Sequence, residues 1–543
     1  MPAFSAPSWA TTSRRAAAPR SSSTDIMPSS PGATSGRVYI VGAGPGDPGL
    51  ITVKGARLLA AADIVFYDDL LDTRLLELTR PDCEHVYAGH RGGRQPEGSR
   101  SRQDGLNDRL VAEAHAGRLV VRLKGGDPYI FGRGGEEAIA LREADIPFEV
   151  VSGVSAASGV LAYAGIPLTH RNVAATATLV AGHESPAHDE PGVDWSALAQ
   201  LSGTLVVFMG SRRLGAITAS LIAGGRSEDT PAAAIQWGTW PGQRSVVATL
   251  GTLAQRADEE QIASPALIVV GEVVDLRDTL NWYESKPLFG RRVLITRSRE
   301  QTGPLQLLLE SEGAEVHCLP LLEISPPEDW TVVDGAISRL SGFGWVVFTS
   351  PNSVTFFFDR LRQLSKDARA FGSARVAAVG QSTGQLLHAR GIQPDLLPET
   401  HSAAGLAKAF EAIPLRDQEI LLPASSIGRT ELDEALVRQG ATVLRVTTYQ
   451  NLPPPRDAVE LPSALTEGQL DCVLFASPSS ARHFVEVVGP EQGLAYLQQL
   501  DIAAIGPTTA SALRELGLTV DLMPEESTVP ALVQALCDHY GQR

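Results

Sequence analysis

The second half of this 543-residue chain repeats itself with a period of about 127 residues. GWVVFTSPNSV around Ser350 returns as DCVLFASPSSA around Ser477. ARVAAVGQSTGQLLHARGI around Gly380 returns as LDIAAIGPTTASALRELGL around Gly506. RRVLITR at Val293 returns as QEILLPA at Ile420, and Gly313 is matched by Gly440. Each copy reads as an apolar strand, a turn of small polar residues and a helix, twice over. Such a duplicated unit predicts two α/β lobes with parallel sheets. Strands that must pair with distant segments also predict lobes that exchange chain. The division expected is one lobe from 290–323 plus 456–543 and the other from 326–448. Pro326-Pro327 and Pro453-Pro454-Pro455 stand at equivalent places and read as paired hinge crossings.

The first half carries two glycine loops. Val38 to Thr52 read VYIVGAGPGDPGLIT. The run Val38–Val41 enters a turn, Gly42 to Asp47, and an amphipathic segment, Val53–Ala62, leaves it. Strand, tight loop and helix form the usual entry to a nucleotide site. A dinucleotide fingerprint needs a third glycine where Asp47 stands. An aspartate there repels a pyrophosphate, because both compete for the positive helix N-terminus. The loop therefore suits a nucleoside without phosphates, of which cationic S-adenosyl-L-methionine is one. An ordinary βα turn has the same outline. The second loop, Leu123 to Glu137, reads LKGGDPYIFGRGGEE and follows the apolar run Leu119–Val121. Gly125 and Gly126 let a ligand approach the backbone. Asp127 can accept bonds from a ribose or an amino group. Ser152-Gly153-Val154-Ser155-Ala156-Ala157 follows further on.

Composition sets outer bounds. The length predicts roughly three to four domain-sized units. A net charge of −16 argues against nonspecific binding to nucleic acid or acidic membranes. Only five of the 46 basic residues are lysines, so arginine abundance alone marks no anion site. The four cysteines stand far apart, form no CxxC pair, and point to a reducing cytosol without a structural metal. No apolar run is long enough to span a bilayer. Residues 1–35 are rich in Ser, Ala, Pro and Thr and read as a disordered extension or an over-called start; a transit peptide is the alternative.

From Arg37 to Glu284 the ordered series of motifs resembles the uroporphyrinogen-III C-methyltransferases of the tetrapyrrole methylase superfamily. Beyond the glycine loops, it runs through VVFMG at Met209, TPAAAIQWGT at Gly238 and SPALIVVGEVV at Ala266. Ser285 to Gly290 reads as a short linker. From Leu288 to the C-terminus the chain resembles uroporphyrinogen-III synthase. Thr296-Arg297, Phe348 to Asn352, Gly380 with Thr383, Gly428-Arg429, Tyr449, Ser477 and Gly506 to Thr509 carry that resemblance. The expected fold is α/β throughout: a two-lobed methylase module over 36–285, then a two-lobed, hinged synthase module with parallel sheets over 286–543.

The resemblances imply a cytoplasmic enzyme acting on tetrapyrroles, with no nucleic-acid or membrane partner and a homodimer through the methyltransferase module. They imply two consecutive reactions: closure of hydroxymethylbilane to uroporphyrinogen III, then two methyl transfers to give precorrin-2. The methyl donor matches Pro45, Gly125, Gly126, Asp127, Ile130, Ser155, Ala156, Met209, Gly238 and Ala266, with core packing the alternative for Met209. Asp68 matches the family's proton acceptor. His90 stands where the family has a lysine as proton donor, and a plain surface histidine is the alternative. In the synthase half, Tyr449 matches a tyrosine that assists the leaving hydroxyl. Arg297, Ser350, Thr383, Ser477, Thr508 and Thr509 match substrate-binding positions. Helix capping is the alternative for Ser350, Ser477 and Thr509. A later corrinoid methylase joined to a noncatalytic two-lobed sensor is the competing reading of the whole.

Overall fold

Short apolar runs ending in small residues build the first sheet. β1 (Arg37–Gly42), β2 (Ile64–Tyr67), β3 (Glu84–Tyr87), β4 (Leu119–Lys124) and β5 (Phe148–Val151) align in the order β3-β2-β4-β1-β5. Every pair is parallel. A parallel sheet is covered on both faces, so its strands are apolar on both. Val38, Ile40, Ile64, Phe66 and Val120 pack on one face, and Val41, Val65, Val121 and Leu123 on the other. β1 and β4 are neighbours, so the topology sets the two glycine loops side by side at the C-terminal edge.

This computed structural model describes residues 36–89, 102–182, 193–296, 299–321, 323–426, 430–454, 459 and 461–541. The expectations on 1–35, His90, Arg297 and Gly428-Arg429 lie outside the described residues. The chain divides into two compact units. One holds the residues up to Gly44 with Pro48–Val154; the other holds Pro45–Asp47 with Ser155–Arg543.

The second unit opens with β6 (Ala177–Ala181), β7 (Thr204–Phe208), β8 (Pro231–Gln236), β9 (Arg244–Thr249) and β10 (Ala266–Val270), in the order β6-β7-β10-β8-β9. Only β6–β7 is parallel in this mixed sheet. Then follow β11 (Arg292–Ile295), β12 (Glu315–Cys318), β13 (Glu323–Ser325), β14 (Trp345–Phe348), β15 (Arg375–Ala378), β16 (Glu419–Ser425), β17 (Thr442–Leu452), β18 (Cys472–Phe475) and β19 (Asp501–Ala504). They form two sheets, β12-β11-β18-β19 and β13-β17-β16-β14-β15. β11 pairs with β18, 179 residues on at Val293↔Cys472, so the first of these sheets is closed by strands from both ends of the half.

The repeat is a repeat of hydrogen bonds as well as of letters. Val376 N donates to Asp395 Oδ2 at 2.7 Å, and Ile502 N to Asp521 Oδ2 at 2.8 Å. Ser350 and Ser477 each open a helix with proline in its first turn, Pro351–Gln363 and Pro478–Val488. One pair departs from the parallel sheets read from the sequence: β13 runs antiparallel to β17. The reason is connectivity. β13 brings the chain into this sheet and the end of β17 takes it out, so the two passing segments run in opposite directions.

The stretch read as a linker, residues 285–290, is exposed at Ser285, Pro287 and Gly290, but it follows a packed segment and is anchored by the buried Leu288. Tyr283 is 5% exposed, and its ring lies 4.8 Å from that of Tyr163 and 5.5 Å from that of Phe289. Glu284 accepts from Gln243 Nε2 at 2.7 Å and Ser245 Oγ at 2.6 Å. Leu288 is fully buried with Leu309, Val533 and Leu536. At the far end, a β-carbon on Gly541 would lie 3.4 Å from Pro287 Cβ. Among the described residues, no helix is long and apolar enough to cross a membrane.

Candidate functional site

In the first unit, the ends of β1, β4 and β5 meet through backbone. Gly126 N donates to Gly44 O at 2.7 Å, and Ala43 N to Lys124 O at 2.7 Å. A β-carbon on Gly153 would come within 2.3 Å of Gly126 O, and one on Gly42 within 2.6 Å of the same atom. Gly42 and Gly153 are therefore fixed by backbone contact. Gly126 differs: its φ is +68°, and a β-carbon there would meet nothing within 4 Å. That open cradle at the tip of the second loop fits a ligand drawn close to the main chain. Asp127 does a job that the sequence did not suggest. Its Oδ1 accepts from Tyr129 N at 2.8 Å and its Oδ2 from Gly153 N at 3.1 Å, so it staples the loop to the turn after β5. Ile130 closes the turn by donating its N–H to Asp127 O.

Asp68 follows β2 on the same edge. Arg122 Nη2 lies 3.3 Å from its Oδ2. Arg122 and Lys124 both reach Glu137 Oε1, at 3.1 and 2.9 Å, and Glu137 is wholly buried. Burial, and then the neighbouring Arg122, push the Lys124 ammonium below its ordinary range. Alternation along β4 puts Arg122 and Lys124 on one face, which is how two cations come to share one carboxylate. Ala88 N donates to Tyr67 O, and a β-carbon on Gly89 would lie 2.9 Å from Asp68 Cα. Gly89 thus lies directly beside Asp68; His90 lies outside the described residues.

In the second unit, register gathers the remaining donor candidates at one end of a sheet. Ala266 pairs with Gln236, and Ile268 with Val207. Met209, just past β7, is therefore level with Ala266, and Gly238, just past β8, stands beside them. Met209 is 47% exposed at φ +55°, which rules out core filling. Trp237 and Thr239 also hold positive φ, at +50° and +73°. Strained backbone of this kind clusters where loops serve a ligand. Gly238 is required by packing, because a β-carbon would come within 2.3 Å of Val160 Cγ1. Ser155 caps the helix Ala156–Tyr163 by accepting from Ala157 N. The tip of the first loop, Pro45–Asp47, joins this group: Asp47 N donates to Thr239 Oγ1 at 3.0 Å.

In the synthase half, Ser350 Oγ and Tyr449 Oη lie 3.0 Å apart, although 99 residues separate them. Thr383 is 1% exposed and its Oγ1 has no hydrogen-bond partner. It sits in the first turn of the helix Gln381–Ala389, whose N-cap, Gly380, offers no side chain. An unmatched buried hydroxyl beside unmatched N–H groups fits an anionic ligand. Thr509, its repeat equivalent, is equally buried, and Thr508 is exposed. Ser382 is the equivalent of Thr508 and is exposed too, a residue that the repeat offered and the sequence reading passed over. Ser477 caps its helix through Ser480 N at 3.2 Å. Thr296 is fully buried and donates to Leu474 O, so it serves the sheet.

A family profile described as Tetrapyrrole (Corrin/Porphyrin) Methylases matches residues 37–254, and one described as Uroporphyrinogen-III synthase HemD matches residues 304–534. The porphyrin biosynthesis protein HemD of Ruminiclostridium josui is 34% identical over 506 residues, covering 93% of this chain and 98% of its own length. The chain belongs to the tetrapyrrole methylases fused to a uroporphyrinogen-III synthase. The uroporphyrinogen-III C-methyltransferase of Bacillus subtilis is 40% identical over 66% of this chain and 74% of its own. A siroheme synthase of Stutzerimonas stutzeri is 48% identical over 47% of this chain and 54% of its own. This fusion is an S-adenosylmethionine-dependent uroporphyrinogen-III C-methyltransferase joined to a uroporphyrinogen-III synthase. It works in the siroheme and porphyrin pathway.

Proposed function

We propose that the C-terminal half closes hydroxymethylbilane to uroporphyrinogen III, inverting the last pyrrole ring with loss of water. The N-terminal half then moves two methyl groups onto pyrrole carbons of that product, giving precorrin-2. The observation that carries the reading is the Ser350–Tyr449 pair on the same sheet edge as the unpartnered Thr383 hydroxyl. A substrate with many carboxylates and one leaving hydroxyl needs both kinds of group: donors to hold it and a phenol to help water leave.

We assign the methyl donor to Pro45, Gly125, Gly126, Asp127, Ile130, Ser155, Ala156, Met209, Gly238 and Ala266. Bound there, S-adenosylmethionine supplies an activated methyl electrophile, so the protein must align rather than activate. Asp68 takes the proton released by the methylated carbon, oriented by Arg122. His90 donates where the family has lysine. Arg297, Ser350, Thr383, Ser477, Thr508 and Thr509 hold the linear tetrapyrrole. The enzyme acts in the cytoplasm, with which its four free cysteines agree, and as a homodimer through the methyltransferase module.

Purified protein is given hydroxymethylbilane and S-adenosylmethionine, and the product is identified by mass and by isomer. Dimethylated type-III tetrapyrrole is expected. Only the type-I isomer, or no methylation, overturns the proposal.

A further inference from the structure

Ser350 and Ser477 hold the same position in the two repeats and cap equivalent helices, yet among the described residues only Ser350 meets a tyrosine. Each Oγ accepts the N–H three residues on, from Ser353 at 3.0 Å and from Ser480 at 3.2 Å. Beyond that they part. Ser477 Oγ turns to the hydroxyls of Ser479 and Ser480, at 3.0 and 3.3 Å. Ser350 Oγ turns to Tyr449 Oη. Capping explains a serine in both places and leaves the tyrosine at one of them unexplained.

A β-bulge aims that tyrosine. β16 and β17 run in register at Ala424↔Thr447 and then at Ser425↔Tyr449, so Thr448 is an extra residue. Strict alternation would send Tyr449 to the same face as Thr447. Val446, on the other face, packs with Val354 and Phe357 of the helix Pro351–Gln363. The extra residue reverses the alternation. Tyr449 accordingly stacks on Phe356 of that helix, with centroids 5.9 Å apart and 17° between planes. Among the described residues, the partners of its side chain are Ser350 and Phe356, neither of them charged.

We propose that Ser350 is a positioning residue for ring closure: it donates its hydroxyl hydrogen to Tyr449 Oη and so turns the phenol proton toward the departing hydroxyl. The proposal rests on the reading of Tyr449 as the acid. Ser350 Oγ already accepts from Ser353, so its own proton is available to donate. As the C–O bond of the linear tetrapyrrole breaks, the electron pair leaves with oxygen. Tyr449 gives its proton to that oxygen, and water departs. The pyrrole α-carbon that closes the macrocycle then releases one proton, which restores the phenol. Ser350 keeps its proton throughout and steadies the phenolate in between.

The full chain is assayed for uroporphyrinogen III formation across pH. Ser350→Ala is expected to lower kcat about tenfold, the scale of one lost hydrogen bond, a larger change than the one in KM. The alkaline limb of kcat should move to higher pH, because the phenolate has lost its donor. Ser350→Thr should restore both. Ser350→Ala combined with Tyr449→Phe should be no slower than Tyr449→Phe alone. Ser477→Ala, which loses the same kind of cap, should raise KM and leave that limb in place. A limb that stays or moves down in Ser350→Ala overturns the proposal, since Ser350 is then only a cap or an acceptor. Full kcat in Tyr449→Phe overturns the reading beneath it.

Discussion

Tyr163 Oη donates to Asp47 Oδ2 at 2.5 Å, tying the tip of the first glycine loop to the end of the helix that Ser155 begins. The aspartate that breaks the dinucleotide spacing is thus occupied as an acceptor. Tyr163→Phe removes the tie and keeps the ring stack on Tyr283. The expected result is methyl-donor binding weakened about tenfold by calorimetry, the worth of one charge-assisted bond, with ring closure unaffected.

Thr383 sets stability against function. A buried hydroxyl without a partner destabilises the fold, so Thr383→Val should stabilise it by about 1 kcal/mol in urea unfolding. The same change should raise KM for hydroxymethylbilane several-fold. A less stable variant with normal KM would make the hydroxyl structural.

Gly126 and Gly153 separate ligand space from packing. Gly126→Ala enters open space at positive φ, at a folding cost of about 1 kcal/mol. It should fold, lose methyl-donor binding and keep synthase activity. Gly153→Ala drives a β-carbon into Gly126 O and should cost about 3 kcal/mol, seen as a fall in Tm.

Asp63 carries an acid-side signature. Its carboxylate accepts from Leu119 N at 2.8 Å and Arg80 Nη2 at 2.7 Å, and the backbone bond first of all holds it below the usual carboxylate range. A depressed folded value means stability that is present above the unfolded value and lost as pH falls through the folded one. Stability of Asp63→Asn should therefore fall less steeply than wild type below about pH 5.

Tyr283 packs between Tyr163, before the junction of the two halves, and Phe289, after it. Tyr283→Ala removes a ring that touches both Tyr163 and Phe289, at a cost of about 3 kcal/mol. Methyl-donor affinity and synthase stability should fall together, read by calorimetry and by thermal inactivation of ring closure. Loss of one alone would mean that the joint is slack.

The repeat was legible because its strands are short, apolar and bounded by small polar turns, so that period and boundary coincide. The glycine loops were legible because backbone proximity admits few residues other than glycine at Gly42 and Gly153. What escaped was whatever depends on side-chain aim. The facing of Tyr449 depends on one extra residue at Thr448, and alternation read from the letters gives the opposite face. Asp127 reads as a ligand acceptor because it stands beside glycines; its further part as a staple rests on Tyr129 N, two residues on, and on Gly153 N, which the fold brings in from 26 residues away. The linker looked free because Ser, Lys and Pro outnumber its apolar residues. Leu288 nevertheless anchors it, just after the buried Tyr283.

Gly541 comes to rest against Pro287, so the synthase half starts and finishes at the same spot. A body whose two ends touch can be appended, nested inside another chain, or reopened elsewhere and rejoined, all without disturbing its sheets.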